Sequence, residues 1–402
     1  MGVPLTHSNT RKVQTMIEHR YRPVNPIAAV GNPQRSAILV VGLIIACVTL
    51  NGCSSSAANN GLADLQLVET LRIGEEENAD DIIFGGISGL IAVDGTGRIF
   101  VGEGQDPKVY VFAANGELLE VVGRQGEGPG EFNGLQEVHA GPGDSLYVFD
   151  YAFDRISVFE PESFDLAYTF RVSRDSLSNP SDLIGVVDTG LLFYYSVPFY
   201  LKPDHTEEGT QVLIVDWSGH PAAKPLTTLP SVETHIYPTQ RGTLRSLAIP
   251  FARRPVLRMG PDQTVYAGWN ESIDITITAA DGSHRGSITL DREPVPVTRN
   301  EIEEWLAGKS AEYRKQVMDF GPHDTKPAYG TFLVDDLGRV WIRTTKDDMQ
   351  KGVHWLVVDT ESRIQAEVTV SPLVSLHVIR AGRAYAVDRT EGLELVVYDI
   401  VE

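Results

Sequence analysis

The chain has 402 residues, with 34 Lys and Arg against 54 Asp and Glu. Five of the basic residues (Arg11, Lys12, Arg20, Arg22 and Arg35) and one acid (Glu18) precede residue 53, so the remainder holds 29 basic and 53 acidic residues, a formal charge of −24. A body that acidic argues against nucleic-acid binding through phosphate neutralisation, and the length suits two or three average domains or one large all-β domain.

The first element in chain order is an apolar run. Arg35 is followed by fourteen mostly apolar residues, Ala37 to Leu50. Such a run is short for a bilayer span but suits the apolar core of a secretory signal. It ends in Leu50-Asn51-Gly52-Cys53, which resembles the bacterial lipobox. The resemblance implies cleavage before Cys53 and lipidation of that residue, with two or more acyl chains as a stable membrane anchor. Residues 1–52 then read as a lipoprotein signal peptide whose start is over-extended, and 53–61 as a flexible tether. Cys47 leaves with the signal, so the mature chain has one Cys and no disulfide. By resemblance to other lipoproteins, Ser54 favours the outer membrane.

Past the tether the sequence repeats. Six times an aliphatic or Ala residue precedes an aromatic one just after a turn signal: Ile99-Phe100, Leu146-Tyr147, Leu192-Phe193, Val265-Tyr266, Val340-Trp341 and Ala384-Tyr385. A second apolar pair follows each, in most units 12 or 13 residues later, the spacing of adjacent antiparallel strands joined by a turn. The first unit shows four strands, "SGLIAVD", "GRIFVGE", "KVYVFAAN" and "GELLEVVGR". Four short strands at this period are the signature of a propeller blade. The last unit stops at its third strand, "LELVVYDIVE", and a spare strand lies at 62–74. The expected fold is an all-β, six-bladed β-propeller over 62–402, closed by that N-terminal strand.

Three segments stand out along the repeat, the last of which breaks it. "GRQGEGPGEF" (123–132) is glycine-rich, but no Lys follows Gly130, two glutamates lie in the loop and no helix opens after it, so it reads as a turn and not a phosphate cradle. Phe132 is expected to pack between blades. The run 235–258 holds Arg241, Arg245, Arg253, Arg254 and Arg258 and no acid. It offers either partners for neighbouring blades or an anion-binding patch. Finally, Thr298 with Glu301 forms a capping box before apolar residues at helical spacing, which predicts one inserted helix near 299–319, packed on the ring or serving as a lid.

Together, "GLIAVDGTGRIFV", "GRQGEGPGEF" and "DRISVF" resemble the NHL-type repeat of six-bladed propellers, over residues 87–160. With the lipobox, the chain is similar to six-bladed propeller lipoproteins of environmental and gut bacteria. Propellers bind where their inner strands begin, and aligning the units puts Ser88, Gln136, Glu137, Asp182, Arg253, Arg254, Tyr329, Thr331, Ser375 and His377 there. The candidate ligand-binding residues are Glu137, Asp182, Arg253, Arg254 and His377, with no catalytic residue and no cofactor expected. This reading makes the protein an envelope lipoprotein that binds a protein, a carbohydrate or an anionic small molecule such as a carboxylate or a sulfated or uronic sugar. The alternative is a metal-dependent hydrolase or lyase. Related six-bladed lactonases hold a divalent metal at this mouth, for which Glu137 and Asp182 are the candidates here, with calcium one such metal; Arg254 would oppose it.

Overall fold

A computed structural model describes residues 65–74, 82–87, 90–174, 179–196, 209–239, 242–345 and 352–402. Cys53, the signal segment and the tether lie outside the described residues, as do Ser88 and Arg241. All described residues belong to one compact unit, 59–402.

Strand β1 (Gln66–Ile73) comes first in the chain. Blade 1 follows with β2 (Ile91–Val93), β3 (Ile99–Glu103), β4 (Lys108–Phe112) and β5 (Leu118–Val122), and blade 2 with β6 (Leu135–Ala140), β7 (Leu146–Asp150), β8 (Arg155–Phe159) and β9 (Leu166–Arg171). Blade 3 is β10 (Asn179–Val187), β11 (Gly190–Ser196), β12 (Thr210–Val215) and β13 (Thr227–Leu229). A separate hairpin, β14 (Thr234–Pro238) and β15 (Leu244–Ala248), precedes blade 4, which is β16 (Pro255–Met259), β17 (Thr264–Trp269), β18 (Ile273–Ala279) and β19 (His284–Leu290). Two helices, α1 (Arg299–Trp305) and α2 (Ala311–Phe320), lead into blade 5: β20 (Tyr329–Val334), β21 (Val340–Thr344), β22 (Val353–Val358) and β23 (Ile364–Val370). Blade 6 is β24 (Val374–Arg380), β25 (Arg383–Asp388) and β26 (Glu394–Val401).

Each blade is a four-stranded sheet, and the sixth is completed by β1, in the order β1-β26-β25-β24. Gln66 pairs with Val401 and Ile73 with Leu395, antiparallel. Arg72 strengthens the seam by reaching Asp388 at 3.1 Å and Glu394 at 2.5 Å. The inner strands β2, β6, β10, β16, β20 and β24 each neighbour the next around a closed ring, β24 returning to β2. The protein is a six-bladed β-propeller closed by its N-terminal strand, as the repeat predicts.

The core is six wedges, one per blade interface. Phe132, Val109 and Val148 lie in the wedge between blades 1 and 2; Trp341, Val357 and Leu376 lie between blades 5 and 6; Ile73, Val101 and Val397 seal the seam between 6 and 1. This arrangement explains the sequence pattern. The second strands β3 (IFVGE) and β7 (LYVFD) are buried along their whole length because neighbouring blades cover both faces, so they read as continuous apolar runs. Outer strands such as β23 alternate, since one side meets solvent.

The glycine-rich loop connects β5 to β6. Phe132 is fully buried and meets Phe159 edge-on, with ring centroids 6.2 Å apart. Gly123 has φ +78°, and a Cβ there would stand 2.2 Å from the Phe132 ring, so glycine is required. The anion this loop cradles is its own: Glu131 Oε2 accepts the Gly128 N–H at 2.9 Å, and Arg124 pairs with Glu131 at 2.7 Å. Arg155 of β8 binds the loop from below through the carbonyls of Glu127 and Glu131.

The segment predicted as one helix forms two. Thr298 and Glu301 make the reciprocal capping box of α1. Gly308 at φ +71° then turns the chain, and Ser310 caps α2 by accepting the Tyr313 N–H at 3.2 Å. The helices pack on the β14–β15 hairpin through Leu306, Val317 and Leu247, a small core separate from the blade wedges. Tyr313 Oη donates to Ala248 O across it at 3.0 Å.

Candidate functional site

Antiparallel pairing gives the ring two unlike faces. The loop face carries the blade-to-blade connections, the hairpin and the helices. The turn face carries the tight turns after each first and third strand. On the turn face a repeated aspartate organises the hairpin. Asp94 Oδ1 accepts the N–H of Thr96 and Arg98, each at 2.9 Å, and Oδ2 accepts Arg98 Nε at 2.6 Å. Asp335 and Asp359 repeat this geometry with Arg339 and Arg363. Asp335 therefore occupies in blade 5 the position that Asp94 holds in blade 1.

On the loop face a second set of polar groups, at the ends of second strands, fixes the chain entering the inner strands of blades 1, 2 and 4. Glu103 accepts the Gly85 N–H, Asp150 accepts those of Asn133 and Gly134, and Asn270 accepts that of Arg254. These buried groups are satisfied by backbone and have structural work.

The channel side chains are different. β6 supplies Glu137 and His139, two residues apart on one strand and hence on one side of it. A bulge at Gln136 precedes them, and Gln136 Nε2 donates to Ser181 O at 2.7 Å and to Asp182 Oδ1 at 3.1 Å, joining blades 2 and 3. His139 Nε2 stands 2.8 Å from Leu183 O, to which it donates. β16 supplies Arg258, whose Nη2 donates to Thr331 Oγ1 at 3.1 Å and whose Nη1 donates to Leu257 O at 2.7 Å. β24 supplies His377, at a bulge between Leu376 and Val378, and Ser375, which accepts from Arg389 at 2.9 Å.

Arg258 is the hub: it lies within electrostatic reach of Glu137, Asp182, His139, His377 and Arg254. Burial, then the neighbouring Asp182 charge, pushes the Glu137 carboxyl well above the usual range, with Arg258 opposing. Burial holds His139 neutral, down at about 4, against the Leu183 hydrogen bond. His377 is also lowered to about 4, by burial and then by Arg389 and Arg258. Enclosure lowers Arg258 itself, with Glu137 and Asp182 opposing.

Of the residues the sequence points to, the structure brings Glu137, Asp182 and His377 into the reach of Arg258, with Arg254 beside it at the mouth, where it donates to Gly330 O at 2.7 Å. Arg253 is not with them. It is 3% exposed and donates to Phe251 O, Thr325 O and Thr325 Oγ1, fastening the chain before β16 to the segment that follows the helices. Tyr329 likewise turns into the wedge between blades 4 and 5. The basic run is thus no single patch: Arg245 is exposed on the hairpin, Arg253 is buried, and Arg254 and Arg258 meet the channel. Sequence reasoning left Arg258, His139 and Arg389 out of the site. His139 was legible from its spacing to Glu137. Arg258 required knowing that β16 begins at Pro255.

Among the described residues no three of His, Cys, Asp and Glu converge as a metal-holding group. Glu137 and Asp182 alone, facing Arg258, do not fit a divalent cation. Two clefts of about 340 and 390 Å³ lie on the turn face at the seam of blades 6 and 1, lined by residues including Thr96, Ala114 and Arg383, remote from this cluster.

A family model described as a 6-bladed β-propeller matches residues 76–241, from the approach to blade 1 into the hairpin. Among solved structures, a Bacteroides fragilis protein described as exported is 12% identical, aligned over 87% of this chain and 97% of its own with a TM-score of 0.50. A member of the DUF4221 family from Bacteroides vulgatus is 10% identical over 84% and 98%, at TM-score 0.48. Virginiamycin B lyase from Staphylococcus aureus is 8% identical over 84% and 100%, at 0.42. At 12% identity, the likeness to the exported protein shows the fold alone. Comparison with proteins of curated function finds no match. No helix among the described residues is long and apolar enough to cross a membrane.

Proposed function

We propose that this protein is a lipid-anchored binding protein of a bacterial cell envelope, on the outer membrane, whose propeller takes a small anionic molecule in its channel without transforming it. The observation that carries the reading is Arg258. A guanidinium enclosed among polar side chains of blades 2, 3, 5 and 6, with only neutral hydrogen-bond acceptors, is costly unless something compensates it, and an anion would. The exported B. fragilis protein of the same fold is in keeping with export, and the lipobox-like Leu50-Asn51-Gly52-Cys53 supports an acyl anchor on Cys53.

Thermal melting of the purified chain in a panel of carboxylates, uronates and sulfated sugars tests the binding. At least one anionic member is expected to raise the melting temperature of the wild type and not of Arg258→Met. A panel without effect, or one whose effect survives that substitution, rejects the reading. Anchoring is tested separately: labelled palmitate is expected in the wild type and absent from Cys53→Ser, and label retained in the variant rejects the lipobox.

A further inference from the structure

Three groups in the channel lack the partner their chemistry calls for. Arg258 donates to a hydroxyl and a backbone carbonyl, with no carboxylate at ion-pair distance among the described residues. Glu137 accepts no hydrogen bond from a described residue; its nearest cationic candidate, His139 Nε2, is 3.9 Å away and committed to Leu183 O. His377 Nε2 is enclosed with no hydrogen-bond partner. A guanidinium and a carboxylate sharing a low-dielectric space would ordinarily close into a bidentate pair. Here each is restrained. Thr331 and Leu257 hold Arg258, and the Gln136 bulge, tied to Ser181 and Asp182, sets where Glu137 emerges. Glu137 and His139 each keep about a quarter of their side-chain surface open, 26% and 23%, although both are surrounded by protein.

Resting on the channel as the binding site, we infer that it takes a small molecule through a carboxylate, which sits on the Arg258 guanidinium with the carboxyl O–H of Glu137 as a second donor, so that one proton enters with each anion. The proton comes from solvent onto the Glu137 carboxylate, forming its O–H, and no bond of the ligand is made or broken. The charge pattern selects the class. The planar fork of a single arginine matches a carboxylate bidentately. A phosphate dianion would add a second negative charge beside Asp182. A cation would meet Arg254, Arg258 and Arg389.

The titratable and charged groups facing the site are Glu137 and His139 from blade 2, Asp182 from blade 3, Arg254 and Arg258 from blade 4, and His377 and Arg389 from blade 6. The inner strand of blade 1, Ile91–Val93, carries no titratable side chain, and blade 5 contributes the Thr331 hydroxyl. Both histidines, held at about 4, stay neutral through mildly acid conditions, and the Asp182 carboxylate is engaged by Gln136. The carboxyl raised by burial is Glu137, the group that would take the proton.

The test is calorimetric titration of the full chain in detergent with glucuronate, and with acetate as a carboxylate lacking hydroxyls, at pH 7.5 and 5.5. Buffers of differing ionisation enthalpy read the proton uptake directly. For the wild type the expected result is uptake of up to one proton per carboxylate, larger at pH 7.5 than at 5.5, and affinity that tightens by up to about tenfold per pH unit lowered. Glu137→Gln should bind with no proton uptake and with an affinity that does not change between pH 7.5 and 5.5. Arg258→Met should lose binding at both. Wild-type binding without proton uptake, or a pH dependence that persists in Glu137→Gln, overturns the proton-linked carboxylate while leaving the channel as the site if Arg258→Met still loses binding. No carboxylate binding by the wild type at either pH overturns this inference; if the sulfated sugars also leave the protein's melting unchanged, the channel-site reading falls with it.

Discussion

Asp335 and Glu137 are both enclosed carboxylates on the same ring, and they are chemical opposites. Asp335, on the turn face, accepts from Leu337 N at 3.1 Å, Arg339 N at 2.8 Å, Arg339 Nε at 2.7 Å and Trp341 Nε1 at 3.2 Å. Glu137, in the channel, accepts from no described residue. The difference recurs along each region. On the turn face, donors led by the Ser218 and Ser283 hydroxyls hold Asp216 and Asp281 below the usual carboxylate range, while in the channel burial pushes Glu137 above it and both histidines far down. Turn-face charges are consumed in building hairpins. Channel charges are left over once the fold is complete, and left-over enclosed charge marks a site that binds.

The comparison predicts where stability lives. The largest effect belongs to the structural side: deleting residues 66–73 removes the fourth strand of blade 6 and the Arg72 pairs, and bares β26. A cost of several kcal/mol, on the order of a domain's whole margin, is expected, together with edge-to-edge association. Melting and size exclusion check it; a deletion that melts like the full chain and stays monomeric would mean the seam closes without β1.

Next comes Asp335→Ala, which strands the Trp341 indole N–H and the Arg339 guanidinium. A loss of about 2–4 kcal/mol is expected by denaturant unfolding. A loss below about 0.5 kcal/mol, the level of an ordinary surface change, would erase the distinction between the two regions.

Smaller is the response to acid. A histidine whose folded value is lowered to about 4 from 6.5 contributes stability that is present above pH 6.5 and lost as the pH falls from 6.5 towards 4. Between pH 7 and 5 His139 and His377 should each cost on the order of 1–2 kcal/mol. Glu137 acts in the other sense, because a raised acid favours the folded state when protonated. The double variant His139→Gln/His377→Gln should flatten the acid limb of stability against pH; an unchanged limb would place the acid sensitivity elsewhere.

Much of the fold was legible because a blade is a local unit. The pairs Phe100 with Val111 and Tyr147 with Val158 are cross-strand partners on adjacent antiparallel strands, as the spacing of 12 residues implied. The break between α1 and α2 was less so. The apolar stripe runs through Gly308, and only the two caps, Thr298 and Ser310, distinguish two helices from one. The site was half legible. Position along an inner strand located Glu137, Asp182 and His377, but could not tell that Arg253 turns away to Thr325 while Arg258, five residues on, faces the channel. That choice is made by the β16 register and by contacts some 70 residues distant in sequence, with Thr325 for one and Thr331 for the other.

The most direct measurement is Arg258→Met, taken for stability and for glucuronate binding on the same preparation. If channel charge is held for a ligand, exchanging an enclosed guanidinium without a carboxylate partner for an apolar side chain of similar length should leave the melting temperature equal or raise it, while glucuronate no longer shifts it. A variant that melts lower on the scale of Asp335→Ala, or that still responds to glucuronate, would show that Arg258 is one more structural charge and contradict the account.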